Sequence, residues 1–166
     1  MAVALTPFRA LCGFLPVSQI ITYLNTVPEF AALIPEPIAT HLLSISVLDS
    51  SSESKSALRS LFSALMTAEV TAVTTQLQIL VARYRNSGTT TDEADVKSLV
   101  LLLNSQFPDD IGVFCAFMLN YVHLLPGEAM FLGAGEPHAY ISGGTSSCHL
   151  KFSTVLFVFV FVYPAT

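Results

Sequence analysis

Between residues 16 and 106 the apolar residues of this chain recur every three or four positions, and on either side they do not. That change of period is the strongest constraint on the fold. A spacing of three to four puts apolar side chains on one face of a helix, whereas alternating or continuous β-branched and aromatic runs suit strands. Residues 2–14 read as strand, with a Thr6-Pro7 turn before FRALCGF. Pro16 suits the first turn of a helix through VSQIITYLNTV, where Ile20, Ile21 and Leu24 share a face. After Pro28, PEFAALI reads as a short helix, and IATHLLSISVL as the next beyond Pro35 and Pro37. DSSSES, residues 49–54, reads as a polar loop. Leu58, Leu61, Phe62 and Leu65 then mark a helix, and residues 68–85 a longer one with Val73, Leu77, Leu80 and Val81 on its stripe. After a second loop, NSGTTT, Thr91 or Asp92 can cap a helix through EADVKSLVLLLNSQF.

Beyond Pro108 the period is lost. IGVFCAFMLNYVHLL reads as a strand from its valine and aromatic content, Pro126-Gly127 as a turn, and AMFLGA and HAYIS as two short strands. Neither terminal set of strands can bury a face alone. One sheet with the helices inserted into it is the simplest arrangement. The expected class is therefore α+β, with barrel-type strands flanking a helical insertion. The expected divisions are residues 1–15 and 107–143 for the strands, 16–106 for the helices and 144–166 for a tail.

Composition excludes some functions. The 166 residues carry a net charge of −5, with 7 Lys and Arg in all, so no basic patch exists to displace the counterions of a nucleic acid. Cys12, Cys115 and Cys148 have no CxxC spacing and fit a reducing, cytoplasmic setting. None of them is assigned a catalytic role. Charged residues are 11% and mean hydropathy is +0.64, yet the most apolar run, VLFVFVFVY at 155–163, is too short to span a bilayer as a helix, which takes about 20 residues. It reads instead as an aggregation-prone strand, and with open sheet edges it predicts poor solubility.

One histidine stands out. In PGEAMFLGAGEPHAYISG, two glycine-bounded turns lead to Pro137 and His138 at the start of a strand. The proline restricts the backbone there, and a neutral imidazole is a common zinc or iron ligand. A lone histidine is also often a hydrogen-bonded residue at a barrel mouth, and no HxH or HExxH accompanies it. His41 reads as a helix-surface residue, and His123 and His149 have no partner spacing.

MAVALTPFRALCGFLPVSQI and PGEAMFLGAGEPHAYISG, with the helices between them, resemble type I phosphomannose isomerase over about residues 1–143. The resemblance implies a zinc-dependent cupin with an inserted helical domain, interconverting mannose 6-phosphate and fructose 6-phosphate for GDP-mannose supply. It implies that His138 is one of four zinc ligands (a glutamine, two histidines and a glutamate) and that Tyr140 lines the sugar-phosphate pocket. Positions 138 and 140 of a strand point to the same side. The family's other ligands and its proton-transfer arginine belong to strings outside the matched stretch. The expectation is a family member inactive by itself, with no catalytic residue assigned. The competing expectation is a non-catalytic fragment whose helical insertion serves as an interaction module. Oligomeric state is left open. From Gly144 onward the sequence does not resemble the family.

Overall fold

The computed structural model describes residues 2–45, 52–86, 93–131, 133, 135–147 and 158–159. They divide into two compact units, one of Met1–Phe14 with Leu119–Thr166, the other of Leu15–Met118.

The first unit is built of strands. They are β1 (Ala2–Ala4), β2 (Phe8–Phe14), β3 (Leu119–Leu124), β4 (Ala129–Met130), β5 (His138–Ser142), β6 (Thr145–Ser147) and β7 (Val158–Phe159). Where one sheet was expected, the described strands form two, in the orders β4-β1-β6 and β3-β2-β5-β7. β2 lies antiparallel between β3 and β5, and β7 runs parallel to β5. Ala4, Phe8 and Ala10 form a small buried core, with Leu124, Met130 and Tyr140 packed on it. The Leu5-Thr6-Pro7 turn separates β1 from β2, as expected from its proline. Gly143 follows β5 at φ +98°, close over the backbone of Pro7 and Phe8.

The second unit is helical: α1 (Val17–Thr26), α2 (Pro28–Ala31), α3 (Glu36–Ser44), α4 (Ser52–Met66), α5 (Val70–Arg85) and α6 (Ala94–Gln106). Of the stripes predicted from spacing, Ile20 and Leu24 in α1, Leu58, Leu61 and Leu65 in α4, and Val73, Leu77, Leu80 and Val81 in α5 are buried, whereas Ile21 and Phe62 are half-buried. Glu69 caps α5 by accepting from the backbone N–H of Thr71 at 3.2 Å and of Ala72 at 3.0 Å. Among the described residues, charge is buried at one point. Arg83 forms a two-pronged pair with Glu29, at 2.9 and 2.8 Å, and another with Glu93, at 2.9 and 2.7 Å. The guanidinium also lies 5.0 Å from the centroid of the Tyr84 ring. This node ties α2, α5 and the start of α6 together.

The helical assignments differ from expectation in three places. The helix expected through IATHLLSISVL runs from Glu36 to Ser44, with Ile45 extended. Of the loop placed at 49–54, Ser52–Ser54 instead open α4, and residues 49–51 lie outside the described set. The strand expected from residue 111 starts at Leu119 instead. Ile111–Phe117 is a 3-10 helix, opened by the Asp110 carboxylate accepting from the Gly112 N–H at 2.6 Å. Every side chain from Val113 to Leu119 is buried, so the run has no polar face to mark its period. Among the described residues of AMFLGA, Ala129–Met130 are strand, and Phe131 is 81% exposed. Thr91 and Asp92, the expected caps, lie outside the described residues, as do Cys148, His149 and the 155–163 run apart from Val158–Phe159. No single described helix is long and apolar enough to cross a membrane.

Candidate functional site

The site is built on the sheet formed by β3, β2 and β5. Register places Asn120, Cys12 and His138 in one row across the three strands, and Val122, Ala10 and Tyr140 in the next row. Directly paired residues of antiparallel strands share a face, and so do residues two apart. His138 and Tyr140 therefore stand side by side on the face that also carries Cys12, Ala10 and Phe8. Their rings are 5.8 Å apart at 41°. Leu11 and Ile141 are buried on the opposite face.

The imidazole of His138 is half-buried, and its Nδ1 lies 3.0 Å from the backbone oxygen of Glu136. A carbonyl oxygen only accepts, so Nδ1 carries the proton, and in the neutral ring the Nε2 lone pair is left for a metal or a proton. That is the tautomer in which a carbonyl orients a metal-ligating histidine. The Tyr140 ring meets Phe8 edge-on, with centroids 5.1 Å apart. Burial, and secondarily Cys12, push the Tyr140 phenol above its ordinary value, so it is a hydrogen-bond donor at neutral pH. Burial, with Glu136 adding to it, likewise raises the Cys12 thiol and keeps it in the unreactive protonated form.

The backbone under His138 is irregular. β2 bulges between Cys12 and Phe14, where Gly13 has φ +65°. The Gly13 N–H donates to the Pro137 oxygen at 3.0 Å, which fixes the peptide leading into His138. Asn120 points its amide nitrogen at three carbonyls of the bulge, Phe14 at 2.8 Å, Gly13 at 3.2 Å and Cys12 at 3.3 Å. The sequence alone assigned no part in the site to Asn120, Cys12 or Gly13. The glycine inside FRALCGF was the available signal, since a strand glycine marks a bulge.

His41 is exposed on α3, 3.9 Å from Glu53. His123 is exposed on β3, its ring 4.2 Å from that of Tyr121. Neither joins His138. Among the described residues no group of three or more His, Cys, Asp or Glu side chains could hold a metal ion. His138 fits the part of a single zinc ligand, and the described residues do not complete a donor set around it.

Residues 33–119 match the family model for the helical insertion domain of type I phosphomannose isomerase. The chain belongs to the type I phosphomannose isomerase family. It is 46% identical over 151 residues to mannose-6-phosphate isomerase of Rattus norvegicus, covering 89% of this chain and 35% of the relative. With the Homo sapiens enzyme it shares 45% over 150 residues, at the same coverage. A probable mannose-6-phosphate isomerase of Dictyostelium discoideum is 43% identical over 148 residues, covering 89% of this chain and 30% of that one. The chain thus spans about a third of the length of the curated relatives it matches. A zinc-bound crystal structure of mannose 6-phosphate isomerase superposes with a TM-score of 0.64 at 30% identity, over 87% of this chain and 32% of the other. The apo enzyme of Salmonella typhimurium gives a TM-score of 0.63 at 30% identity, over 87% and 33%. Both relations agree with a phosphomannose isomerase architecture, in which a helical insertion interrupts a sheet.

Proposed function

We propose that this chain carries one wall of the sugar-phosphate site of a zinc-dependent mannose-6-phosphate isomerase, and that it is inactive by itself. The observation that carries the reading is the pairing of His138 and Tyr140 on one sheet face, with the Nδ1 of His138 committed to the Glu136 carbonyl. His138 would hold the metal through Nε2, and the Tyr140 hydroxyl would donate to an oxygen of mannose 6-phosphate or fructose 6-phosphate. Zinc, when bound, supplies Lewis-acid polarisation of the substrate oxygens during the aldose–ketose exchange. The inactivity is supported by the donor count among the described residues, since a catalytic zinc takes about three protein ligands and those residues assemble no group of three. In this reading the strands of the first unit are cupin strands, the helical unit Leu15–Met118 is the insertion domain, and the reaction belongs to the cytoplasm.

The test combines zinc calorimetry with an assay on mannose 6-phosphate in added zinc, run on the chain and on His138→Ala. The expected result is weak zinc binding that His138→Ala abolishes, and no turnover in either protein. Turnover above the variant would overturn the inactivity. Equal zinc binding by both proteins would remove His138 from the metal site.

A further inference from the structure

We infer that Asn120 is a positioning residue for His138, acting through the β-bulge at Gly13. The inference rests on the reading of His138 as a metal ligand and adds the residue that aims it. Asn120 does not touch the imidazole. Its amide nitrogen has two hydrogens for three carbonyls, those of Cys12, Gly13 and Phe14, at 3.3, 3.2 and 2.8 Å. Three acceptors around one nitrogen fix the orientation of the carboxamide, because its oxygen would be repelled there. They also hold three successive peptide planes that a regular ladder would not hold, since the β2–β3 register slips between Cys12 and Phe14.

Holding those planes has a consequence on the other side of β2. With Gly13 at φ +65°, its N–H turns toward β5 and donates to the Pro137 oxygen at 3.0 Å. Pro137 has no N–H of its own and a nearly fixed φ. Pinning its carbonyl therefore leaves the Glu136–Pro137–His138 segment little freedom. The Glu136 carbonyl can then stay 3.0 Å from Nδ1 and select the tautomer that frees Nε2. The chain of contacts runs Asn120, Gly13, Pro137, Glu136 carbonyl, His138 ring. Without Asn120 the bulge can relax to other pairings, and the segment before His138 loses its anchor.

The experiment reads the tautomer directly. Full-length chain labelled with nitrogen-15 is compared with Asn120→Ala at pH 8 by long-range proton–nitrogen correlation of the histidine rings, then titrated with zinc chloride. In the parent, His138 should show the Nδ1-protonated pattern. In Asn120→Ala the His138 signals should move to a mixture of tautomers, and half-saturation with zinc should need about tenfold more metal, the lower end of the range for residues that orient a ligand. Leu124→Ala, two rows along β3 and part of the apolar core, serves as a destabilised control that should keep the parent tautomer. An unchanged tautomer in Asn120→Ala, or the same change in the control, overturns the positioning role. If Asn120→Ala does not fold, Gly13→Ala strains the same bulge while keeping the carboxamide, and Gly13→Asn, which tolerates positive φ, should restore the parent pattern. An unaltered tautomer in Gly13→Ala also refutes the proposal. A parent that shows the fixed tautomer and Asn120 dependence, but no response to zinc, refutes the metal reading and leaves the positioning role standing.

Discussion

Replacing Arg83 by methionine should cost the helical unit about 3–5 kcal/mol, the loss found when one partner is taken from a buried ion pair. The size follows from what is left behind. The Glu29 side chain is 4% exposed and that of Glu93 is 0%, while Arg83 itself is 24% exposed. Four nitrogen–oxygen contacts between 2.7 and 2.9 Å disappear together. Their hydrogen bonds, Glu93 before Glu29, hold the guanidinium well above its usual range, so both carboxylates meet a full positive charge at every accessible pH. Methionine restores much of the volume and none of the charge. The comparison is urea unfolding of the parent and Arg83→Met at pH 7. Adding Glu29→Gln and Glu93→Gln to Arg83→Met should recover part of the loss. A cost under about 1 kcal/mol would mean that the node behaves as an exposed salt bridge, and the argument from burial would be wrong.

Two further outcomes follow from the same coordinates. Gly143→Ala puts a Cβ against the Pro7 oxygen and 2.8 Å from the Phe8 Cα at φ +98°, so thermal unfolding of the sheet unit should reveal a loss of about 2 kcal/mol or more; an unchanged midpoint would show that the turn can shift. Burial, with Asp110 adding to it, pushes the Cys115 thiol up to about 12 from an ordinary 9.0. Its stabilising contribution is complete below the unfolded value and fades as pH climbs toward the folded one. Stability should therefore fall between pH 9 and 10 with a slope of up to about 1.4 kcal/mol per pH unit, and Cys115→Ala should flatten that slope; a slope unaltered by the substitution would assign it to other groups.

How much was legible depended on whether a segment has two unlike faces. α4 and α5 were readable because their buried leucines and valines alternate with serine, threonine, lysine and glutamine, and only a helix puts such a pattern on one side. Ile111–Phe117 was not, because its residues from Val113 onward are buried all round and a short cap contact from Asp110 decides the conformation. The site divides in the same way. His138 and Tyr140 share a face by the two-residue repeat of a strand, which local sequence carries. Their neighbours Cys12 and Asn120 depend on a register set by a bulge between strands far apart in sequence, which local sequence does not carry.

That separation raises the question of how β2 and β3 pair at all with the whole helical unit between them. Closing a flexible loop of that length costs about 4 kcal/mol beyond a constant term, and each added residue would make the pairing slower. The helical unit removes most of the problem by closing itself. Its first residue, Leu15, donates its N–H to the oxygen of its last, Met118, at 2.8 Å. Next to them, Phe14 pairs with Leu119 as the first rung of the β2–β3 ladder. Once Leu61, Leu77 and Phe117 are buried in the helical core, the ends of the insertion are held together without help from the sheet. β2 and β3 then meet as the two arms of a hairpin whose turn has been replaced by a folded unit.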